Sequence, residues 1–416
     1  MQYKSIRQMV HMSQSSEPLQ VIAEREYQQR LEGWSTFRSG IVLRGHELCI
    51  VNFRELATIV DHIREQENVV IALWENLPPI ARRAYIMDLI GAEMQSTNSI
   101  EGVRSTRKEI SDALKSAIDN GPHKRFSEFA KLFLALSDSN PEHLALPHSL
   151  EDIRAIYDQV ISGELEDADL PDGDLFRNGP VYIDDEATGR RIHTGITPES
   201  EIKVLLTQWL TFTSNSDMPS LLKAAMCHFA FEYIHPFYDG NGRTGRFLFA
   251  MQLRRHLSVP TAISLSPVIS DSKNRYYKAF EEAQHPLNCC DVSLFAYQMM
   301  KFIADAQRHI IDDLSEKRAS FERAKSVLYT FGHEHNWNDD HINIIGVLIQ
   351  EELFGVQPHW VTRPQLRDGL ALGRKRVNTA LDVLIADKAI TTVGERPVYY
   401  SLSDSMRSLL FGKDYG

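Results

Sequence analysis

"HPFYDGNGRTGR", from His235 to Arg246, puts an imidazole, a carboxylate, an asparagine, two guanidiniums and several glycines into one short stretch. Ahead of it, "SLLKAAMCHFAFEYI" reads as a helix, and Pro236 ends it because the residue before a proline is pushed out of helical geometry. The glycines allow positive φ and close approach of backbone to a ligand. A second helix is expected to start near Arg243 and to continue as "TGRFLFAMQLRRH". Backbone N–H groups in such a loop, followed by a helix N-terminus, make an anion-binding concavity.

Arg243 and Arg246 are three apart, so on a helix they share a face and reach the same anion. Two guanidiniums with a backbone nest favour a di- or triphosphate over a single carboxylate. Asp239 is costly beside phosphates unless a cation intervenes, and Mg2+ bound by one carboxylate and phosphate oxygens resolves the conflict. His235 at the edge of this site has a pKa suited to removing a proton from a hydroxyl. Phe237, between polar neighbours, reads as the apolar anchor of the loop. Each piece alone is commonplace: histidines end helices, "GNG" marks turns and paired arginines are mostly solvated. Their joint occurrence is what points to nucleotide-dependent transfer onto a hydroxyl.

The rest of the chain limits the alternatives. Its 416 residues suffice for two or three domains. Lys+Arg 45 against Asp+Glu 56 gives −11, which excludes whole-chain attraction to nucleic acid or anionic membrane. Cys49, Cys227, Cys289 and Cys290 show no CxxC spacing, so neither zinc nor a disulfide framework is suggested. The N-terminus lacks the apolar core of a signal peptide, and no run approaches the ~18 apolar residues of a membrane span. A reducing, cytoplasmic location without membrane contact is expected.

Residues 1–77 read as an N-terminal extension with β-like pieces "GIVLR" and "LCIVNF". After Pro78-Pro79, apolar residues recur at three- and four-residue intervals through Ile100, the pattern of a long amphipathic helix. Gly102 suits its stop, and Thr106 with Glu109 has capping-box spacing for the next helix. Helical patterns follow at about 126–137, 149–162, 199–213 and 219–234. "GPVYIDDEATGRRIHTGITP" alternates like a hairpin around a polar turn. From about Ala319 the pattern changes to short helices and two β-rich pieces around "GERP", the order of a winged helix. A boundary near 310–325 then separates a domain over 78–318 from one over 319–416.

His235–Arg246 resembles, at every fixed position, the HPFx(D/E)GNGRxxR motif of Fic-domain proteins, and with its flanks the resemblance covers about residues 80–310. It implies a mainly α fold, a Fic helical core with a β-hairpin flap, and transfer of AMP from ATP to a Ser, Thr or Tyr hydroxyl of a target protein, the chain itself included. It further implies His235 as base and Asp239 as Mg2+ ligand. Gly240, Asn241, Gly242, Thr244 and Gly245 would line the phosphates, and Arg243 and Arg246 would bind the β and γ groups. Tyr276 and Tyr277 are similar to a tyrosine pair on the adenine side, with core packing as the competing reading. Gln284 stands where some relatives have Asn. The hairpin is similar to the family's flap, which holds its target by strand pairing. Kinase-like Doc relatives carry Lys where this chain has Gly242, which argues for AMP transfer over phosphorylation.

"TNSIEG", Thr97 to Gly102, resembles the family's inhibitory (S/T)xxxE(G/N) motif, on a helix over about 80–102. Thr97 and Glu101 lie four apart on one helical face. A carboxylate delivered to Arg246 would take the guanidinium that the γ-phosphate needs. In the C-terminal domain, Arg374, Lys375, Arg376 and Asn378 open the helix in recognition position. Between Val356 and Leu402 seven Arg/Lys stand against four Asp/Glu, a modest excess for DNA contact. The alternatives are therefore a DNA-binding regulator with a nucleotide-sensing Fic domain, or a Fic enzyme that removes AMP or transfers another phosphate group. A homodimer is one assembly the reading admits.

Overall fold

The computed structural model describes residues 2–119, 121–138, 145–164, 170–184, 189, 191–214, 217–356 and 359–412. In chain order the N-terminal elements are α1 (Ile6–Met12), α2 (Leu19–Leu31), β1 (Thr36–Leu43), β2 (His46–Val51), α3 (Arg54–Glu75) and α4 (Pro79–Ile100). There follow α5 (Arg107–Asp119), α6 (Ser127–Leu136), α7 (Leu150–Val160), β3 (Tyr182–Asp184), β4 (Arg191–Thr194), α8 (Glu199–Ser214), α9 (Ser220–Ile234) and α10 (Asn241–Arg254). The chain continues through α11 (Val259–Ala262), α12 (Leu265–Asp271), α13 (Lys273–Ala283), a 3-10 turn at Pro286–Asn288 and α14 (Ser293–Glu334). It ends with α15 (Asp339–Phe354), β5 (Val361–Thr362), α16 (Arg363–Leu370), α17 (Arg374–Ala386), β6 (Ile390–Val393), β7 (Tyr399–Leu402) and α18 (Asp404–Phe411). The mainly α architecture expected from the periodicity is what forms. No described helix is long and apolar enough to cross a membrane.

Met1–Asn68 and Ala92–Arg308 make one compact unit; Val69–Gly91 and His309–Gly416 make the other. In the first, α9 and α10 pack against each other and are buried almost all round. That explains why α9 carries a nearly unbroken apolar run where a surface helix would show one stripe. In the same unit β1 and β2 pair antiparallel, Leu43 opposite His46, with Arg44 and Gly45 both at positive φ in the connecting turn. Positive φ at both central residues matches the right-handed twist of the strands. β3 pairs with β4, Ile183 opposite His193; the "DEAT" turn lies outside the described residues.

Two local expectations need correction. α10 starts at Asn241, two residues before Arg243, because Gly240 caps it at φ 78° and the Asn241 side chain is fixed to the preceding loop. Residues 293–334 form one unbroken helix, so no run of short helices begins at Ala319.

The second unit has its own core, which includes Leu366, Val377, Leu381, Leu384, Ile390, Tyr400 and Leu402. Its sheet runs β5-β7-β6, and a Thr362/Gln365 capping box starts α16.

Candidate active site

α9 stops where His235 turns to φ 53°, its N–H still bonded to the Phe231 carbonyl. The chain then crosses the loop to α10. Phe237 is fully buried and stacks face to face on Tyr157, ring centroids 3.5 Å apart and planes 7° apart. Asn241 reaches back to the same residue: its Oδ1 accepts from the Phe237 N–H at 2.9 Å and its Nδ2 donates to the Phe237 carbonyl at 2.8 Å. The asparagine side chain therefore closes the loop. At Gly240, positive φ and a Cβ position only 2.6 Å from Ile161 both require glycine.

Arg177, which the sequence gave no reason to single out, fastens this loop from behind. It is fully buried, and its guanidinium donates to the carbonyls of His235 at 2.8 Å, Gly179 at 2.6 Å and Ile196 at 2.7 Å. Burial among carbonyls pushes its pKa down to about 10, still high enough to keep the charge at neutral pH. Because Ile196 lies two residues beyond β4, one side chain sets both the turn at His235 and the root of the hairpin. Nearby, the Tyr238 hydroxyl donates to Asp172 at 2.9 Å and accepts from the Gly179 N–H at 2.9 Å.

The His235 Nδ1 lies 3.2 Å from the Glu232 carbonyl, an arrangement that assigns the proton to Nδ1 and leaves the Nε2 lone pair free. Burial, the neighbouring His193 and Arg177 push its pKa down to about 3, so the imidazole is neutral and able to accept a proton. His193 on β4 places its ring 6.3 Å from that of His235 and joins the Tyr233 carbonyl at 2.7 Å.

Asp239 sits at the mouth, its side chain 49% exposed, with Oδ1 accepting from the Gly240 N–H at 2.6 Å and Oδ2 4.0 Å from Arg243. Arg243 is fully buried. Its Nη1 pairs with Glu164 at 2.8 Å, while Nε and Nη2 find no hydrogen-bond partner among the described residues. Glu164 in turn lies 3.5 Å from Arg125, and burial raises its pKa against the pull of Arg243. The Thr244 hydroxyl is also buried without a described partner. Donors left unsatisfied in this way are rare in folded proteins and mark a place where a ligand's acceptors fit.

Arg246, 4% exposed, is engaged. Its Nε donates to Thr97 Oγ1 at 2.8 Å, and its Nη2 to the Thr97 carbonyl at 3.1 Å and to Glu101 Oε1 at 2.8 Å. A Cβ built on Gly242 would stand 2.2 Å from that same Glu101 oxygen. The carboxylate thus lies over the helix N-terminus and on the guanidinium together. Glu232 is packed alongside, a Gly245 Cβ falling 2.2 Å from its Oε1, and burial pushes its pKa up to about 8.

The two tyrosines part company. Tyr276 is 2% exposed, with its hydroxyl 2.8 Å from His228 Nε2, and His228 Nδ1 is bonded to the Gly245 carbonyl at 3.2 Å. Tyr276 therefore braces α10 through His228. Tyr277 is 41% exposed and donates to the Ile100 carbonyl at 3.1 Å, next to Glu101. Gln284 donates to the Ile192 carbonyl in β4 at 3.0 Å.

Residues 147–253 match the Fic/DOC family. Two proteins named protein adenylyltransferase Fic are similar to the chain. That of Culex quinquefasciatus is 26% identical over 286 residues, 64% of this chain and 51% of the relative. That of Drosophila melanogaster is 26% identical over 216 residues, 51% of this chain and 39% of the relative. The chain thus spans about half the length, or less, of these curated relatives. Among solved structures, a Fic family protein from Desulfovibrio desulfuricans G20 superposes with a TM-score of 0.48 at 20% identity, covering 84% of this chain and 96% of that one. A Fic domain containing signaling protein from Bacteroides thetaiotaomicron gives 0.45 at 14% identity, covering 61% and 97%.

Proposed function

From a chain that carries a Fic domain, we propose an autoinhibited protein adenylyltransferase that moves AMP from ATP to a Ser, Thr or Tyr hydroxyl of a protein, its own chain included. The observation that carries the reading is the position of Glu101. One carboxylate covers both Gly242, at the N-terminus of α10, and Arg246, where an ATP phosphate would be held. A carboxylate and a phosphate oxygen compete for the same donors, and like charges repel.

With Glu101 withdrawn, the backbone N–H groups at the start of α10, Arg243 and Arg246 bind the β- and γ-phosphates. His235 Nε2 takes the proton from the target hydroxyl, whose oxygen forms a bond to the α-phosphorus. The bond from that phosphorus to the bridging oxygen breaks, and pyrophosphate leaves with the charge the two arginines hold. The Nδ1 contact with the Glu232 carbonyl keeps the ring oriented for this. Asp239, an exposed carboxylate beside unsatisfied donors, suits Mg2+, which when bound would spread phosphate charge. β3 and β4 offer strand edges to an extended target segment, as in β-augmentation.

Arg246 engaged by Glu101 leaves the phosphates short of one donor and the α-phosphorus misaligned, and alignment is a large share of such catalysis. The test uses ATP labelled in turn at the α- and γ-phosphate. Label from the α-position should enter protein with Glu101→Gly at least about tenfold faster than with the unsubstituted chain, and not at all with His235→Ala. Incorporation of γ-label, or equal rates with and without Glu101, would overturn the reading.

A second reading concerns the C-terminal unit. We take α15, β5, α16, α17 and the β6–β7 hairpin as a winged helix over 319–416. Arg374 and Lys375 are exposed at the start of α17, while Arg376 is forked onto Asp340. Two exposed cations support at most weak, salt-sensitive duplex contact. Duplex affinity that falls with salt and disappears in an Arg374→Ala, Lys375→Ala chain supports DNA contact; its absence leaves a protein-docking module.

A further inference from the structure

Three side chains that no step above uses come together in the first unit, from elements far apart in sequence. Glu24 lies on α2, His46 opens β2, and Cys289 follows the 3-10 turn at Pro286–Asn288. Their donor atoms, a carboxylate oxygen, an imidazole nitrogen and a thiol sulfur, all lie within 4.8 Å of one another. Glu24 Oε2 and His46 Nε2 are 2.8 Å apart.

Each group is held in place. Glu24 Oε1 accepts from Gln28 Nε2 at 2.8 Å. The His46 ring stands edge-on to Tyr27 at 5.0 Å, and the Tyr27 hydroxyl is tied to the Glu47 carbonyl at 2.9 Å. Cys289 is 2% exposed, within the small core formed by Ile6, Val10, Ala23, Tyr27 and Cys49. Glu24 remains 46% exposed, which leaves an entry path from solvent.

The donor set narrows the ligand. Mg2+ and Ca2+ take oxygen ligands, whereas a mixed sulfur, nitrogen and oxygen set suits a borderline ion of the zinc class. Tetrahedral bonds of about 2.0–2.3 Å put neighbouring donor atoms roughly 3.3–3.8 Å apart, so closure needs the widest pair to contract by up to about 1.5 Å while the Glu24–His46 pair, at 2.8 Å, opens. Three protein ligands with water in the fourth position is a known zinc arrangement. We propose that Glu24, His46 and Cys289 form a zinc-binding site that staples α2 to β2 and to the turn ahead of α14. On binding, the Cys289 thiol releases its proton to solvent. The neutral imidazole keeps one proton, now on Nδ1, while Nε2 turns from Glu24 to the metal.

The site was invisible in sequence because its ligands are at 24, 46 and 289, with none of the short spacings by which zinc sites are recognised. The test takes the full chain, stripped with a chelator, reloaded with Zn2+ and desalted, with metal measured by elemental analysis. About one zinc per chain is expected, with at least tenfold weaker retention in Cys289→Ser, His46→Ala and Glu24→Gln and no change in Cys49→Ser. Glu24→Gln, at a half-exposed position, keeps the test valid if the buried cysteine cannot be replaced without unfolding. Loading with Co2+ should add thiolate-to-cobalt charge-transfer absorption that Cys289→Ser removes. No retained zinc in the unsubstituted chain, or retention in both Cys289→Ser and Glu24→Gln undiminished from that of the unsubstituted chain, overturns the proposal and leaves an ordinary Glu24–His46 hydrogen bond beside a buried thiol.

Discussion

Arg246 gives three donated bonds to the end of α4 and the turn after it, two to Thr97 and one to Glu101, and the ion pair between buried Arg246 and partly buried Glu101 is where a substitution should tell most. Charge-assisted bonds of this kind contribute about 1.5–3 kcal/mol each. Thr97→Val, which removes only the Nε acceptor, should raise AMP transfer less than Glu101→Gly does, as read from α-label incorporation; an equal or larger rise would mean that Thr97, not Glu101, is the main restraint. A second residue-scale expectation concerns protonation. Because His235 is held neutral with its pKa pushed down to about 3, the acid limb of kcat/KM for Glu101→Gly should lie below the ordinary histidine value of about 6.5. A midpoint at or above that value would show that the imidazole is not screened from protonation. At this scale the loop from His235 to Arg246 was legible as one constellation, since each donor and acceptor lies within a few positions of the next. Glu164, Arg177 and Glu232 were not, because their partners lie dozens of residues away or, for Glu232, because the neighbours that matter come from α4 and α10.

Elements were read well where a local cause decides them. The capping box at Thr106 and Glu109 forms as the spacing suggests, with bonds of 2.8 Å and 3.2 Å, and Gly102 ends the preceding turn at φ 73°. The start of α10 was misjudged because the side chain that fixes it, Asn241, is satisfied by Phe237 in tertiary geometry that no propensity contains. From about Ala319 short helices were expected, although Phe321, Ala324 and Leu328 keep the helical spacing and are buried along the one helix α14. The hairpin and the loop act as one assembly through Arg177. Arg177→Met would leave several carbonyls without a donor, at a cost of about 3 kcal/mol or more. Urea denaturation should show that loss together with reduced nucleotide binding; unchanged stability would mean the carbonyls find water or other donors.

For the whole molecule, buried titrating groups set opposing pH slopes. His193, His228 and His235 have pKa values pushed down to about 4, 3 and 3. Below about 6.5 the unfolded chain binds protons that these folded imidazoles refuse, so stability falls as pH falls. Glu232 and Glu93 are raised to about 8 and 6 by burial. Above about 4.5 the unfolded carboxyls ionise while the folded ones stay protonated, so stability falls as pH rises toward 8. Tm should therefore peak close to pH 6.5, and Glu232→Gln should flatten the decline between about 6.5 and 8; a decline that persists would assign it to other groups. The domain-scale division was harder to read than the elements, since Val69–Gly91 groups with residues beyond 308, a non-sequential arrangement that composition along the chain does not display. The proposed function turns on Glu101, which lies on Arg246 and over Gly242 where the ATP phosphates would be held. Calorimetric titration of ATP, with and without Mg2+, into the unsubstituted and Glu101→Gly chains tests it most directly. The account predicts magnesium-dependent binding that tightens by about tenfold or more when Glu101 is removed and loses that gain when Arg246→Ala is added; no magnesium-dependent uptake by either chain would contradict it.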